Sequence, residues 1–240
     1  MEVAEPVESR GAILREIAIA SVAITALVTA ASARMPERYV ATTVGFLFLG
    51  ATWVLVWRKD DARVVRSGLS LGGVVLPGER DLGRMARAAG VALAWALGAA
   101  ALVFVPFYFG WRAWWHPRAT FALSTPWYEV ANESFGQIVI IALPEEAFYR
   151  GYLQSRLDDA FPRKVRILGA EVGLGILLAS VIFALGHVAT IREPTRLAVF
   201  FPSLLFGWLR ARTRGVGAGV VFHACCNVFS ELLGRGYGMY

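Results

Sequence analysis

The sequence predicts an all-α fold, a polytopic transmembrane bundle of about seven helices. Of its 240 residues, 57% are hydrophobic and only 18% are charged, whereas soluble domains carry about a quarter charged residues. The apolar residues fall in runs of about 20, the length that a helix needs to cross the hydrocarbon core of a bilayer. Only helices and closed barrels satisfy their backbone hydrogen bonds in lipid, so these runs indicate helical spans.

Seven runs are predicted to cross the membrane. They are Ile17–Ala33, Tyr39–Trp57, Met85–Gly110, Ser134–Tyr152, Ile167–Val188, Leu197–Arg210 and Val216–Leu233. The first run ends in an Ala-Ser-Ala sequence, as a cleaved signal peptide does. However, Glu2, Glu5 and Glu8 precede it where a signal peptide carries positive charge, so we expect a retained span. The sixth run is short, and we expect a tilted or re-entrant helix there.

The basic residues lie between the apolar runs and predict the orientation of the chain. Most of them fall at the N-terminus and in the second, fourth and sixth loops, which puts the N-terminus in the cytoplasm. The net charge of +6 then suits anionic lipid headgroups, and we expect no nucleic-acid partner. Cys225 and Cys226 are adjacent within an apolar run and allow no disulfide framework.

Ionisable residues inside the spans are the candidates for function, because a charge at the bilayer centre costs about 2.5–3.5 kcal/mol on insertion scales. Glu145 and Glu146 follow Pro144 in the fourth span. Glu146 and Arg150 are four residues apart and can pair on one helix face, whereas Glu145 projects about 100° away and stays free for chemistry. The alternative is an ion pair that only locks two helices together.

Two further polar clusters lie in later spans. His187 ends the fifth span, and a lone histidine there can equally be a packed interfacial side chain. His223 and Asn227 lie four residues apart in the last span and share a helix face. Their side chains can donate hydrogen bonds to a developing oxyanion, or they can form hydrogen bonds that hold helices together. Together, the three clusters supply what peptide hydrolysis by an activated water requires.

The ordered motifs EExxxR, FxxxH and HxxxN resemble the CPBP family of intramembrane proteases. That family comprises CAAX prenyl endopeptidases, bacteriocin-processing and immunity proteins and Abi-type relatives, with the myxosortase-like proteases among its bacterial members. The motifs begin at Glu145, Phe183 and His223, and the likeness covers about residues 134–233. The resemblance implies a catalytic helical core in residues 134–240, preceded by N-terminal transmembrane helices and loops in residues 1–133, all in one membrane domain.

The resemblance also implies a role for each matching residue. Glu145 is expected to be the general base, and His187 is expected to help position the attacking water. His223 and Asn227 are expected to form the oxyanion hole. Glu146 and Arg150 are expected to stabilise the site. The implied reaction is cleavage of a peptide bond near the membrane-embedded C-terminal segment of a protein, by a glutamate-activated water and without a cofactor.

Two other functions stay open on the sequence alone. In the first, Glu145, His187 and His223 bind zinc, although no HExxH motif supports a zinc protease. In the second, the chain is a non-catalytic membrane scaffold or immunity protein. A GxSxG pattern at Gly68–Gly72 lies in a basic loop rather than between a strand and a helix, so we do not expect a serine nucleophile there.

The expected partners are a membrane-anchored protein or peptide substrate and the lipid bilayer. We expect a multi-pass protein of a bacterial inner or plasma membrane. The sequence does not specify the oligomeric state.

Overall fold

The structure, a computed structural model, describes residues 8–76 and 80–239. Glu2 and Glu5, which bear on the retained first span, lie outside the described residues. Among those that are described, five helices are long and apolar enough to cross a membrane. They are α1 (Arg10–Arg34), α2 (Glu37–Thr52, continued by π-helical Trp53–Trp57), α4 (Leu82–Trp115), α8 (Leu174–Ile191) and α10 (Gly217–Gly236). The predicted all-α membrane bundle is confirmed.

Shorter elements complete the chain. The helices are α3 (Asp61–Arg66), α5 (Trp127–Gly136), α6 (Leu143–Glu146), α7 (Ser155–Ala160) and α9 (Phe200–Thr213), and 3₁₀ turns occupy Leu71–Gly73 and Pro194–Val199. π-Helical turns at Gln137–Ala142 and Ala147–Gln154 join α5, α6 and α7, so the backbone is helical from 127 to 160. The fourth predicted span therefore lies inside a longer helical segment. π-Helical turns are rare and often occur at functional sites.

The core of the bundle joins the two halves of the sequence. Ile17 and Ile24 of α1 and Phe48 of α2 belong to the same buried cluster as Phe148 and Phe183 from the later helices. Phe48 and Phe148 lie with ring centroids 5.6 Å apart. The core thus crosses the predicted boundary between residues 133 and 134, and the division into an N-terminal part and a catalytic part stays a prediction.

Helix α4 lies beside α10 and encloses the other side of the bundle. The helix begins where Oδ1 of Asp81 accepts a hydrogen bond from the backbone N–H of Gly83 at 2.8 Å, a typical N-cap. Along its length, Phe104 stacks on Phe229 of α10 with a centroid distance of 4.3 Å. This packing holds the helix that carries His223 and Asn227.

The fifth predicted span is wrong in its first part. Residues Lys164–Ile167 and Ala170–Gly173 form an antiparallel β-hairpin, and α8 begins only at Leu174. Leu168 and Gly169 both have positive φ, at 47° and 79°, as the two central residues of the hairpin turn that suits twisted strands require. Apolar content alone could not separate this hairpin from a helix, because Ile167, Leu168 and Val172 fit a membrane span equally well.

The sixth predicted span forms a short helix. Pro194–Val199 is a 3₁₀ turn, and α9 has 14 residues, which at about 1.5 Å per residue is too short to cross the hydrocarbon core. Trp208 of α9 donates a hydrogen bond from Nε1 to the carbonyl of Ile167 at 3.0 Å. The hairpin therefore packs against α9.

Candidate active site

The two adjacent glutamates lie on α6 and have different surroundings. Glu146 is fully buried, and its Oε2 accepts a hydrogen bond from Nε of Arg150 at 3.3 Å. Arg150 is equally buried, and its Nη2 donates to Oγ of Ser203 on α9 at 2.8 Å. The structure thus contains the ion pair predicted from the four-residue spacing, and this pair connects the helical segment around α6 to α9.

Two aromatic rings flank the buried guanidinium of Arg150. Its Cζ lies 5.2 Å from the ring centroid of Phe183 and 5.8 Å from that of Phe206. A buried charge needs compensation from a partner charge and from further polar or aromatic contacts. Glu146, Ser203 and the two rings supply most of that compensation for Arg150, whose Nη1 has no hydrogen-bond partner among the described residues.

His223 of α10 lies between the two glutamates. Its Nδ1 is 3.2 Å from Oε1 of Glu146, and because an ionised carboxylate can only accept, Nδ1–H is the donor. The ring stacks on Phe206 at a centroid distance of 4.7 Å and an angle of 12°. These contacts direct Nε2 toward Glu145, whose Oε2 lies 3.8 Å away. Glu146 therefore orients His223 as well as pairing with Arg150.

Glu145 is the less constrained of the two glutamates. Its Oε2 is buried and accepts no hydrogen bond from any residue in the described part of the chain. The distance of 3.8 Å to Nε2 of His223 is longer than a direct hydrogen bond, and one water can bridge two polar atoms at that separation. The carboxylate is thus available to a water or a substrate group.

His187 of α8 has one ring nitrogen engaged. Its Nδ1 lies 3.0 Å from the carbonyl oxygen of Phe183, one turn earlier, and because a carbonyl only accepts, Nδ1–H is the donor. A neutral ring held in this way leaves Nε2 unprotonated. Nε2 is then free to accept a hydrogen bond from a water.

Asn227 contacts a residue that sequence reasoning missed. Its Nδ2 donates a hydrogen bond to Oε1 of Gln137 at 2.8 Å. One of the two amide hydrogens of Asn227 is occupied by this bond, and the other remains available. A polar glutamine within the apolar run, two turns before Glu145, was the one signal in the sequence for this contact.

A cavity of about 660 Å³, which we call the polar cavity, brings the four predicted catalytic residues together. Its lining includes Gln137, Glu145, His187, His223 and Asn227. The three separate polar clusters of the sequence therefore face one space. Cys226 also lines this cavity.

A second cavity, of about 340 Å³ and mostly apolar, adjoins the polar cavity. Glu145 and His187 line it together with Tyr149 and with mostly apolar side chains of α1, α2 and α8, such as Val28 and Val44. The two cavities share Glu145 and His187 as common lining. The free carboxylate therefore has a polar space on one side and an apolar space on the other.

The zinc alternative requires a ligand cluster. Within residues 8–76 and 80–239, no group of three or more His, Cys, Asp or Glu side chains has the geometry to hold a metal ion. Glu145, His187 and His223 line one cavity without forming such a cluster.

Comparison with known proteins identifies one family. Residues 126–229 match the sequence model of the type II CAAX prenyl endopeptidase Rce1-like family. The matched segment includes all six predicted site residues, from Glu145 to Asn227. No curated protein and no solved structure matches the chain.

Proposed function

We propose that this chain, whose residues 126–229 match the model of the type II CAAX prenyl endopeptidase Rce1-like family, is an intramembrane endopeptidase of the CPBP family that cleaves its substrate with a water activated by Glu145. The observation that carries the proposal is the environment of this glutamate. Its Oε2 is buried and lacks a hydrogen-bond partner among the described residues, and the residue shares a cavity with both His187 and His223. Glu146, by contrast, is fully engaged by Arg150 and His223.

The first step is attack by water. Glu145 accepts a proton from the water as the O–H bond breaks, and the new hydroxide oxygen bonds to the carbonyl carbon of the scissile peptide. We propose that Nε2 of His187 accepts the second hydrogen of the water and holds it in line. The electron pair of the carbonyl π bond moves to the oxygen, which becomes an oxyanion.

The second step needs donors for the oxyanion. The free amide hydrogen of Asn227 is one donor, and a hydrogen on Nε2 of His223, whose ring Glu146 holds through Nδ1, is the other. When the intermediate collapses, the C–N bond breaks and Glu145 returns its proton to the leaving amine. The products are a carboxylic acid and an amine, and the proposed steps use no metal.

The substrate that we propose is a membrane-anchored protein or peptide, cut near its membrane-embedded C-terminal segment. The apolar cavity beside Glu145 suits an apolar stretch of chain, and the polar cavity suits the hydrophilic residues next to it. The sorting-type bacterial proteases, including the myxosortase-like group, cleave substrates of this kind, and a bacterial inner membrane is the proposed location.

The test compares the C-terminal peptides of membrane-anchored proteins in cells that carry wild type, Glu145→Gln or Glu193→Gln. Glu193 is exposed and lies outside both cavities, so it is the matched control for loss of one carboxylate. We expect processed C-termini to disappear only with Glu145→Gln. An unchanged profile in that strain would favour the scaffold or immunity function instead.

A chelator distinguishes the zinc alternative. We expect the purified wild-type enzyme to keep its activity after treatment with a strong zinc chelator, because Glu145 activates water without a metal. Loss of activity on chelation, with recovery when zinc is added back, would show that Glu145, His187 and His223 bind zinc.

A further inference from the structure

A third cavity lies at the opposite end of the bundle from the polar cavity. It has a volume of about 880 Å³ and lies where the N-terminal part of α1, the segment around α3, α7 and the start of the hairpin meet α9. We call it the basic cavity, because six of its lining residues are cations. They are Lys59, Arg63, Arg66, Arg156, Lys164 and Arg210. None of the residues assigned to catalysis lines it.

The charges around the basic cavity do not cancel. Four carboxylates line it, those of Glu8, Asp60, Asp158 and Asp159. Glu16 adds a fifth, because its two oxygens accept from Arg63 at 3.1 Å and from Arg156 at 2.8 Å. Six cations face five carboxylates, so the described residues around this cavity carry one uncompensated positive charge.

Several of the cationic donors have no acceptor. Arg156 is 8% exposed and uses both terminal nitrogens in ion pairs with carboxylates, yet its Nε has no hydrogen-bond partner in the described residues. The same holds for Nε of Arg210. Within the described chain, Lys59 and Arg66 make no side-chain hydrogen bond or ion pair, although both line the cavity. Lys59 and Arg66 are exposed, whereas the Nε donors of Arg156 and Arg210 are buried without an acceptor. A buried charged donor without an acceptor is costly, so a bound anion would stabilise this region.

The missing ligand must offer several acceptor oxygens in different directions. Carboxylates provide two in one plane, whereas a phosphate group is tetrahedral and is the usual partner of converging Arg and Lys side chains. A phosphodiester carries one negative charge, which equals the surplus. Three hydroxyl groups, on Ser67, Tyr152 and Ser155, also line the cavity.

We propose that the basic cavity is a binding site for a phosphate ester. Two sources share this chemistry: the headgroup of an anionic phospholipid and a soluble phosphorylated compound. Basic pockets at the ends of membrane helices commonly bind anionic headgroups. The cavity is independent of the proposed peptidase chemistry, so either proposal can fail without the other.

The experiment measures binding to the full-length protein purified in an uncharged detergent. Native mass spectrometry and thermal unfolding are recorded with phosphatidylglycerol, with phosphatidylcholine and with glycerol 3-phosphate. We expect one phosphatidylglycerol or one glycerol 3-phosphate to bind per chain with an increase in Tm, and phosphatidylcholine, whose choline cancels the charge, to bind at least tenfold more weakly.

The variant Lys59→Gln/Arg66→Gln removes two cations that make no ion pair in the described structure, so it should keep its fold. We expect its affinity to fall about tenfold or more, because each lost charged contact weakens binding. The control Arg34→Gln/Arg118→Gln removes two exposed cations near the far ends of α1 and α4 and should bind as wild type does.

Each outcome decides the proposal. Selective binding of phosphatidylglycerol that the cavity variant loses supports a lipid headgroup site, and selective binding of glycerol 3-phosphate that it loses supports a soluble ligand. Two results overturn the proposal: no saturable binding of either compound to wild type, or equal binding by wild type and the Lys59→Gln/Arg66→Gln variant.

Discussion

At the scale of single residues, the structure separates two adjacent glutamates into a buried structural group and a free one. The four-residue spacing to Arg150 predicted which of them would pair. The spacing could not show that Glu146 also orients His223, because that contact joins residues 77 positions apart. Contacts of this length depend on how helices pack, and one sequence does not specify that packing.

The contrast between the two glutamates gives the first prediction. Glu146→Gln should lower the free energy of unfolding by about 3–5 kcal/mol, because it leaves the buried charge of Arg150 without its partner. Glu145→Gln should leave stability nearly unchanged, since Oε2 of Glu145 makes no hydrogen bond within the described residues. Thermal and chemical unfolding of both variants in the same detergent measures this. Equal stability of the two would contradict the assignment.

A second prediction concerns Gln137, which sequence reasoning missed. Gln137→Leu removes the acceptor that holds the amide of Asn227, so this proposed oxyanion donor should lose its orientation. We expect kcat to fall about 10- to 100-fold with little change in KM, because the effect is largest in the transition state.

The conservative change Gln137→Glu keeps an acceptor oxygen at the same place and tests the explanation. It should recover a large part of the kcat that Gln137→Leu loses. If both variants were equally impaired in kcat and in KM, Gln137 would act on substrate binding or on folding rather than on the position of Asn227.

At the scale of elements, hydrophobic runs predicted helices well and their bounds poorly. The spans assigned to α1, α2, α4 and α10 are helices in the structure. The run from Ile167 failed because a hairpin with two positive-φ residues precedes α8. Apolar hairpin residues and apolar helix residues look alike over seven positions, and only the turn geometry separates them.

The loop that carries the GxSxG pattern has a structural part in the bundle. Leu69 is fully buried against the helical segment at Gly151, and the indole Nε1 of Trp57 donates to the Leu69 carbonyl at 3.3 Å. The backbone N–H of Val216 donates to the carbonyl of Gly68 at 3.2 Å. The loop therefore docks between elements, which accounts for its glycine at 68 with a φ of 68°.

This docking gives the third prediction. A Cβ at position 151 would lie 2.6–2.8 Å from three side-chain carbons of Leu69, so Gly151→Ala should destabilise the protein by about 1–3 kcal/mol. Gly136→Ala is the matched control, because a Cβ there meets nothing within 4 Å, and it should be neutral or stabilising by about 0.5–1 kcal/mol.

The double variant Leu69→Ala/Gly151→Ala isolates the contact. Leu69→Ala alone should destabilise by creating a cavity, whereas Gly151→Ala should cost less in its presence than alone. Unfolding free energies of the four proteins measure the coupling. Strict additivity would show that the loop does not dock at Gly151.

At the scale of the whole molecule, the helical bundle has a different cavity at each of its two ends. The polar cavity is lined by residues near the end of α10, such as Arg235, and by Arg196 after α8, whereas the basic cavity is lined by Glu8 before α1. The sequence predicted that basic residues concentrate at one face of the membrane. It could not predict that they enclose a space, because their side chains come from four separate segments.

The orientation of these two ends is the last prediction. The distribution of Lys and Arg puts the N-terminus in the cytoplasm. The basic cavity then faces the cytoplasmic leaflet, whose anionic lipids attract cations, and the polar cavity with Glu145 opens toward the other side. Substrates would reach the carboxylate from the non-cytoplasmic side or sideways from that leaflet.

Single cysteines test this arrangement in a background with Cys225→Ser and Cys226→Ser. Intact cells are treated with a maleimide that cannot cross the membrane. Arg196→Cys should react at once, because its position lies at the mouth of the polar cavity, whereas Lys59→Cys should react only after permeabilisation. The reverse labelling pattern would show that the protein has the opposite orientation in the membrane. The active site would then open to the cytoplasm, and a phosphate ester in the basic cavity would have to come from the outer side.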